Sequence, residues 1–192
     1  MRTAGLAAGV TLAALVAGGP AWSAPPGARV GDVAPVFTLN DVADRPHSLE
    51  QHRGKIVVLE WYNPDCPAVK RHHQRAKTMK ELAAKYKDRD VVWLAINSGA
   101  PGKQGHGQER NARSVREYEI EYPVLLDPSG EVGRAYGARV TPHMFVIDRA
   151  GKLVYAGAID DEGKAGVNYV EKAVEALLAD EPVERPETRA YG

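Results

Sequence analysis

Apolar positions along the chain fall into short continuous runs separated by stripes of helical spacing. The most informative run covers residues 56–62, Ile-Val-Val-Leu-Glu-Trp-Tyr. Its β-branched and aromatic residues, interrupted only by Glu60, predict a buried strand. Asn63-Pro64-Asp65 ends it. Beyond Pro67, apolar or semi-polar residues recur at Val69, His72 or His73, Ala76, Met79, Leu82, Ala83 and Tyr86, with lysines and arginines between them. That spacing predicts one long amphipathic helix packed on the sheet. Residues 91–97 form a second continuous apolar run, the pattern of a parallel strand buried on both faces.

The remaining elements follow in alternation. A charged helix is predicted over 109–118, a strand over 123–127 and a short helix over 131–136 that stops at Gly137. A strand at 143–148 turns at 149–152 and returns antiparallel over 153–158. A last helix covers 167–178, where Val170, Ala173, Val174, Leu177 and Leu178 share a face. Ahead of the first long run, residues 36–39 fit a short strand, and 40–47, polar with Pro46, a loop. Strands alternating with helices, then a hairpin and a helix, predict a three-layer α/β domain with a central sheet flanked by helices. No internal repeat is present. Residues 24–180 make this one domain, and 181–192, polar with two prolines, a tail lying on the surface or disordered.

The first residues follow a different pattern. Arg2 precedes an apolar, glycine-rich run from Leu6 to Gly18 and then Ala21-Trp22-Ser23-Ala24, the order of a secretory signal peptide. The expected signal spans 1–23, with a cut after Ser23 and export to a periplasmic or extracellular compartment. The run is shorter than the roughly 20 residues a spanning helix needs, so no stable membrane span is expected. No cysteine follows it, which excludes a lipid-modified start.

Composition narrows the function classes. Of 192 residues, 44% are apolar and 26% charged, ordinary for a globular protein, and the formal net charge is zero without a long basic run. Nucleic acid is therefore not an expected partner. The glycine-rich stretch 98–107 contains Gly102-Lys103 but no Ser or Thr after the lysine, so it is not a phosphate-cradling loop. The single cysteine, Cys66, matters more. In an oxidising compartment cysteines pair, and one cysteine must be buried and inert, free and reactive, or joined to another molecule.

Cys66 is predicted at a strand-to-helix corner, at the N-cap, with Pro67 at the first helical position where its missing N–H is not needed. There it would face unpaired backbone amides. Those amides, with Lys70 and Arg71 in the first turn, favour a thiolate, although for the two cations themselves a solvated helix face is the favoured reading over a thiolate clamp. Glu60, a carboxylate inside a strand, is desolvated and able to trade a proton with a nearby sulfur, or is simply a paired structural acid. Asn63 and Asp65 shape the turn. His72, His73 and His143 suit a soft metal ion together with a cysteine, or solvent exposure on the helix; neither metal nor organic cofactor is the expected reading.

Three stretches together resemble the thioredoxin-like redoxins of the alkyl hydroperoxide reductase and thiol-specific antioxidant superfamily. They are residues 30–39 (Val-Gly-Asp-Val-Ala-Pro-Val-Phe-Thr-Leu), the strand ending in Trp61-Tyr62 before Cys66-Pro67, and residues 140–148 (Val-Thr-Pro-His-Met-Phe-Val-Ile-Asp). The resemblance runs from about 30 to 178 and implies a thioredoxin-like fold. It makes Cys66 the nucleophile, Glu60 the buried acid six positions earlier, and Thr141 with a cis Pro142 the platform for substrate backbone. Trp61, Tyr62 and Pro67 form the rest of the expected substrate-binding rim.

Three departures bear on function. The Cys-x-x-Cys of thioredoxins is here Cys66-Pro67-Ala68-Val69, and Val69 cannot resolve a mixed disulfide. The Thr or Ser that typical peroxiredoxins place three residues before their cysteine is here Asn63. Similar proteins continue past a Pro-Glu-Thr-Arg-like tail into a further cysteine, whereas this sequence ends at Pro186-Glu-Thr-Arg-Ala-Tyr-Gly192. A resolving thiol is accordingly expected from outside. The leading expectation is an exported thiol oxidoreductase and antioxidant acting on a peroxide or disulfide. The alternative is a non-catalytic thioredoxin-like module that binds peptides or metal.

Overall fold

The computed structural model describes residues 27–192. Seven strands form one sheet: β1 (Thr38–Asp41), β2 (Pro46–Ser48), β3 (Ile56–Trp61), β4 (Val91–Asn97), β5 (Val124–Leu126), β6 (His143–Ile147) and β7 (Leu153–Gly157). Their spatial order is β2-β1-β5-β4-β3-β6-β7. The β3, β4 and β5 strands run parallel, while β6 is antiparallel to β3, β7 to β6, and β1 to both β5 and β2. The helices are α1 (Pro67–Lys70), α2 (Thr78–Tyr86), α3 (Gln108–Glu117), α4 (Glu131–Tyr136) and α5 (Tyr169–Leu178).

All six residues of β3 are buried because both faces of the sheet are covered. Ile56 and Val58 pack with Met79, Leu82 and Tyr86 of α2 and with Val170, Ala173 and Val174 of α5. Val57, Leu59 and Trp61, on the alternate face, pack with Leu49, Tyr136 and Phe145. Glu60 belongs by alternation to the first face, under the α1–α2 region.

The single helix expected from residue 67 to 86 is divided. The four residues of α1 run into a π-helical turn, Arg71–Arg75, and Lys77 then takes a left-handed conformation (φ 54°) before α2 begins. A π turn spends one extra residue, and here it brings both His72 and His73 into the interior. An unbroken helix would have turned one of them outward.

The stretch 40–47, expected as a loop, instead contributes to two strands. Asp41, buried at the end of β1, accepts N–H bonds from Ala43 and Arg45 and further bonds from the Arg45 and His47 side chains. These bonds close the connection tightly enough for pairing, and Pro46 is tolerated because β2 lies at the sheet edge.

Residues 181–192, expected on the surface or disordered, return to the sheet edge. Pro186 accepts from the Ala156 N–H and Thr188 donates back to the Ala156 carbonyl, at 3.0 and 3.1 Å, so Glu187 bridges β7 in parallel. The expected signal segment lies outside the described residues. Among the described residues no helix is long and apolar enough to cross a membrane.

Candidate active site

The carboxyl ends of β3 and β4 and the loop before β6 meet at Cys66. The corner is built by Asn63, whose side-chain oxygen accepts from the Asp65 N–H at 2.9 Å, while the Asn63 carbonyl accepts from the Cys66 N–H at 3.1 Å. Cys66 is the N-cap of α1 with Pro67 following, as the sequence predicts, but its side chain makes no capping bond. The sulfur points across the corner instead, and Sγ–H donates to the Thr141 carbonyl at 2.9 Å. The Thr141-Pro142 peptide is cis. The structure thus brings Cys66, Pro67, Thr141 and Pro142 together, with Cys66 buried at 8% exposure.

The nearby cations are engaged elsewhere. Lys70 lies 3.9 Å from Asp65, and Arg110 of α3 grips the same carboxylate through Nε and Nη2 at 3.2 and 2.8 Å. The Arg71 guanidinium stands 5.5 Å from the centre of the Tyr191 ring. The expected first-turn charge therefore serves the tail and the turn as much as the sulfur.

Glu60 is wholly buried and held by three groups from different parts of the chain. Its Oε1 is 2.7 Å from His73 Nε2, and its Oε2 accepts from Trp93 Nε1 at 3.2 Å and from the Tyr122 hydroxyl at 3.0 Å. Burial, reinforced by the Glu60 charge, holds the Tyr122 hydroxyl pKa far above its ordinary value, so it remains a donor. His73 lies between the rings of Tyr62 and Tyr118, with centroids 5.3 and 5.6 Å away, and its Nδ1 finds no partner among the described residues. None of the three partners could be picked out by spacing: they stand 13, 33 and 62 residues from Glu60. The buried acid was legible; its cradle was not.

Trp61 and Tyr62 part company. Trp61 packs in the opposite core layer against Tyr136 and Phe145, and its indole N–H donates to Ser98 at 3.0 Å. Tyr62 sits under the corner in one cluster with Cys66 and Val69. Both reach a cleft of about 400 Å³ bounded by Asn63, Ser98, Arg139 and Thr141. The histidines do not form the metal site the sequence allowed. His72 turns to Tyr191, with Nε2 3.0 Å from its hydroxyl, and His73 to Glu60. Burial pushes the His143 pKa down to about 4, with Arg139 adding to the effect. Among the described residues no group of three or more His, Cys, Asp or Glu side chains is placed to hold a metal ion.

A mixed sheet of this order, with a cysteine at the carboxyl end of its central strand facing a cis-proline loop, defines a thioredoxin-like protein. The chain belongs to the AhpC/TSA family, whose profile matches residues 30–156. It is 33% identical over 125 residues to the thiol-disulfide oxidoreductase ResA of Geobacillus thermodenitrificans, covering 65% of this chain and 66% of the relative. The match thus spans about two thirds of that relative's length. Among solved structures, a protein of Sinorhizobium meliloti superposes with a TM-score of 0.75 at 27% identity, covering 85% of this chain and 92% of that one. A putative thiol:disulfide interchange protein DsbE of Chlorobium tepidum superposes with a TM-score of 0.66 at 25% identity, over 79% and 99% of the two chains.

Proposed function

We propose that this chain is an exported thiol oxidoreductase that exchanges disulfides through Cys66 and relies on a second thiol from outside. The observation that carries the reading is the position of the only sulfhydryl, 2.9 Å from the Thr141 carbonyl at the cis-proline loop. Similarity to thiol-disulfide oxidoreductases supports disulfides as substrates. The peroxide alternative lacks the Thr or Ser before the cysteine, since Asn63 occupies that place and is committed to the turn.

In the proposed reaction the Cys66 proton is lost and the thiolate attacks one sulfur of a partner's disulfide. The partner's S–S bond breaks, its other sulfur leaves as a thiolate and takes up a proton, and Cys66 is held in a mixed disulfide. Val69, at the position of a resolving cysteine, is fully buried and has no sulfur. An external thiolate must therefore attack the mixed disulfide, releasing Cys66 and forming a new disulfide with the partner sulfur. The Thr141-Pro142 backbone beside the sulfur would align the incoming chain.

The test is mass spectrometry of the folded protein after exposure to glutathione disulfide, with and without excess reduced thiol, beside Cys66→Ser. A glutathione adduct on Cys66 that disappears with added thiol, and is missing from the variant, is the expected result. An unmodified Cys66 in the folded state would sink the exchange reaction and favour a binding module. A parallel exposure to hydrogen peroxide separates the substrates: rapid sulfenic or higher oxidation without adduct chemistry would move the reading to peroxide.

A further inference from the structure

Residues 186–192 do more than decorate the sheet edge. After the Glu187 bridge, the Thr188 hydroxyl accepts from the Ala158 N–H at 2.9 Å and donates to the Tyr155 hydroxyl at 2.6 Å, which in turn donates to the Ala158 carbonyl at 2.5 Å. This closed ring sits directly over Gly157, where an added Cβ would lie 2.1 Å from the Thr188 oxygen. The segment then reaches the corner. Tyr191 enters a socket made by Arg71, His72 and Asp160: its hydroxyl donates to Asp160 and lies 3.0 Å from His72 Nε2, and its ring lies under the Arg71 guanidinium. His72 is itself buried to 2% exposure, and its Nδ1 lies 3.3 Å from the Thr78 hydroxyl. Gly192 finally rests on Thr141, where a Cβ would meet the carbonyl oxygen at 2.0 Å. That is the oxygen to which Cys66 donates.

We propose that Arg71, His72 and Asp160 form a phenol-binding socket which, by holding Tyr191, seats residues 186–192 as a strap over the Thr141-Pro142 platform and shields Cys66 from macromolecular disulfides. Two features separate this from incidental tail packing. The socket supplies the Asp160 carboxylate as acceptor and the His72 ring nitrogen at hydrogen-bond distance to one hydroxyl, and a cation to its ring, and it is rooted in the π turn that directly follows the Cys66 helix. The strap also carries no bulk where it crosses the platform, since only glycine fits against Thr141. The strap forms one wall of a cavity of about 750 Å³ whose other wall includes Val140, Asp160 and Lys164, so between its anchors it borders open space. The consequence for reactivity rests on the disulfide-exchange reading; the socket and strap do not.

The experiment uses the full chain and its Tyr191→Ala and Tyr191→Phe variants. Arg189 is the only trypsin site within 186–192 and is exposed, so cleavage after it reports strap release without any thiol chemistry. Cleavage should accelerate about tenfold in Tyr191→Ala, the equivalent of roughly 1.4 kcal/mol of latch, and less in Tyr191→Phe, which keeps the ring. Labelling of Cys66 by a polymer-linked maleimide should rise in parallel, while labelling by iodoacetamide changes far less. A synthetic peptide of the sequence Arg-Pro-Glu-Thr-Arg-Ala-Tyr-Gly, added to Tyr191→Ala, should slow the polymer reagent again. Unchanged cleavage in Tyr191→Ala, or equal acceleration of both reagents, overturns the proposal. A strap that behaves as expected around a Cys66 that refuses glutathione disulfide would instead overturn the exchange reading alone.

Discussion

At the scale of single residues, Glu60 shows what a buried carboxylate requires and how little of it a sequence exposes. An acid inside an apolar strand announces itself by its position in residues 56–62, and Cys66 by being alone at a strand-to-helix corner. The partners that make Glu60 tolerable, His73, Trp93 and Tyr122, are supplied by tertiary folding at distances that no short motif spans. Their donor geometry yields a prediction. In Glu60→Gln the amide oxygen can still accept from Trp93 and Tyr122, while its NH2 can donate to His73 Nε2 once that ring carries its proton on Nδ1. This variant should fold with a loss of no more than about 1 kcal/mol. Glu60→Ala leaves three buried groups without their acceptor and should cost about 3–5 kcal/mol. Urea unfolding of both variants checks the contrast, and equal losses would mean that Glu60 fills volume rather than satisfying its neighbours.

At the scale of elements, the strand and helix periods recovered most of the fold because burial on both faces of the sheet imposes them. β3, β4, α4 and α5 fall close to their expected bounds for that reason. The region that failed is the helix after Cys66, where the spacing of Val69, His72 or His73, Ala76 and Met79 fits one continuous helix as well as the divided one. The π turn and the left-handed Lys77 go together with the burial of both His72 and His73, a tertiary arrangement invisible to helical periodicity. The hairpin at Asp41 was hidden similarly, since a polar run with a proline reads as a loop until one side chain collects its backbone donors. Lys77 offers a test whose sign decides. In a continuous helix Lys77→Gly should destabilise by about 1 kcal/mol. At φ 54°, glycine relieves the left-handed strain and should instead stabilise by about 0.5–1 kcal/mol, a rise of a few degrees in the thermal midpoint.

At the scale of the whole molecule, the sheet order places the single cysteine of the sequence at the carboxyl end of the central strand, and among the described residues nothing around it carries a second thiol. Residues of β3, α1, the loop before β6 and the returning segment 186–192 all converge there, yet the position one helical turn from Cys66 is the fully buried Val69. Cys66 and Val69 share one packed cluster with Tyr62 and Tyr118, so a thiol placed at 69 would join the same cluster as Cys66. Val69→Cys therefore tests directly whether the need for an outside thiol comes from this one substitution. Valine and cysteine are near in volume, and the exchange should cost about 1 kcal/mol of packing. Oxidised with glutathione disulfide, the variant should lose its adduct spontaneously and gain an internal disulfide, seen as a loss of two mass units, whereas the natural chain keeps its adduct until thiol is added. A Val69→Cys variant that folds but retains the adduct indefinitely would show that the corner itself, through the Thr141 carbonyl and the strap above it, holds the cysteine away from any resolving partner on α1.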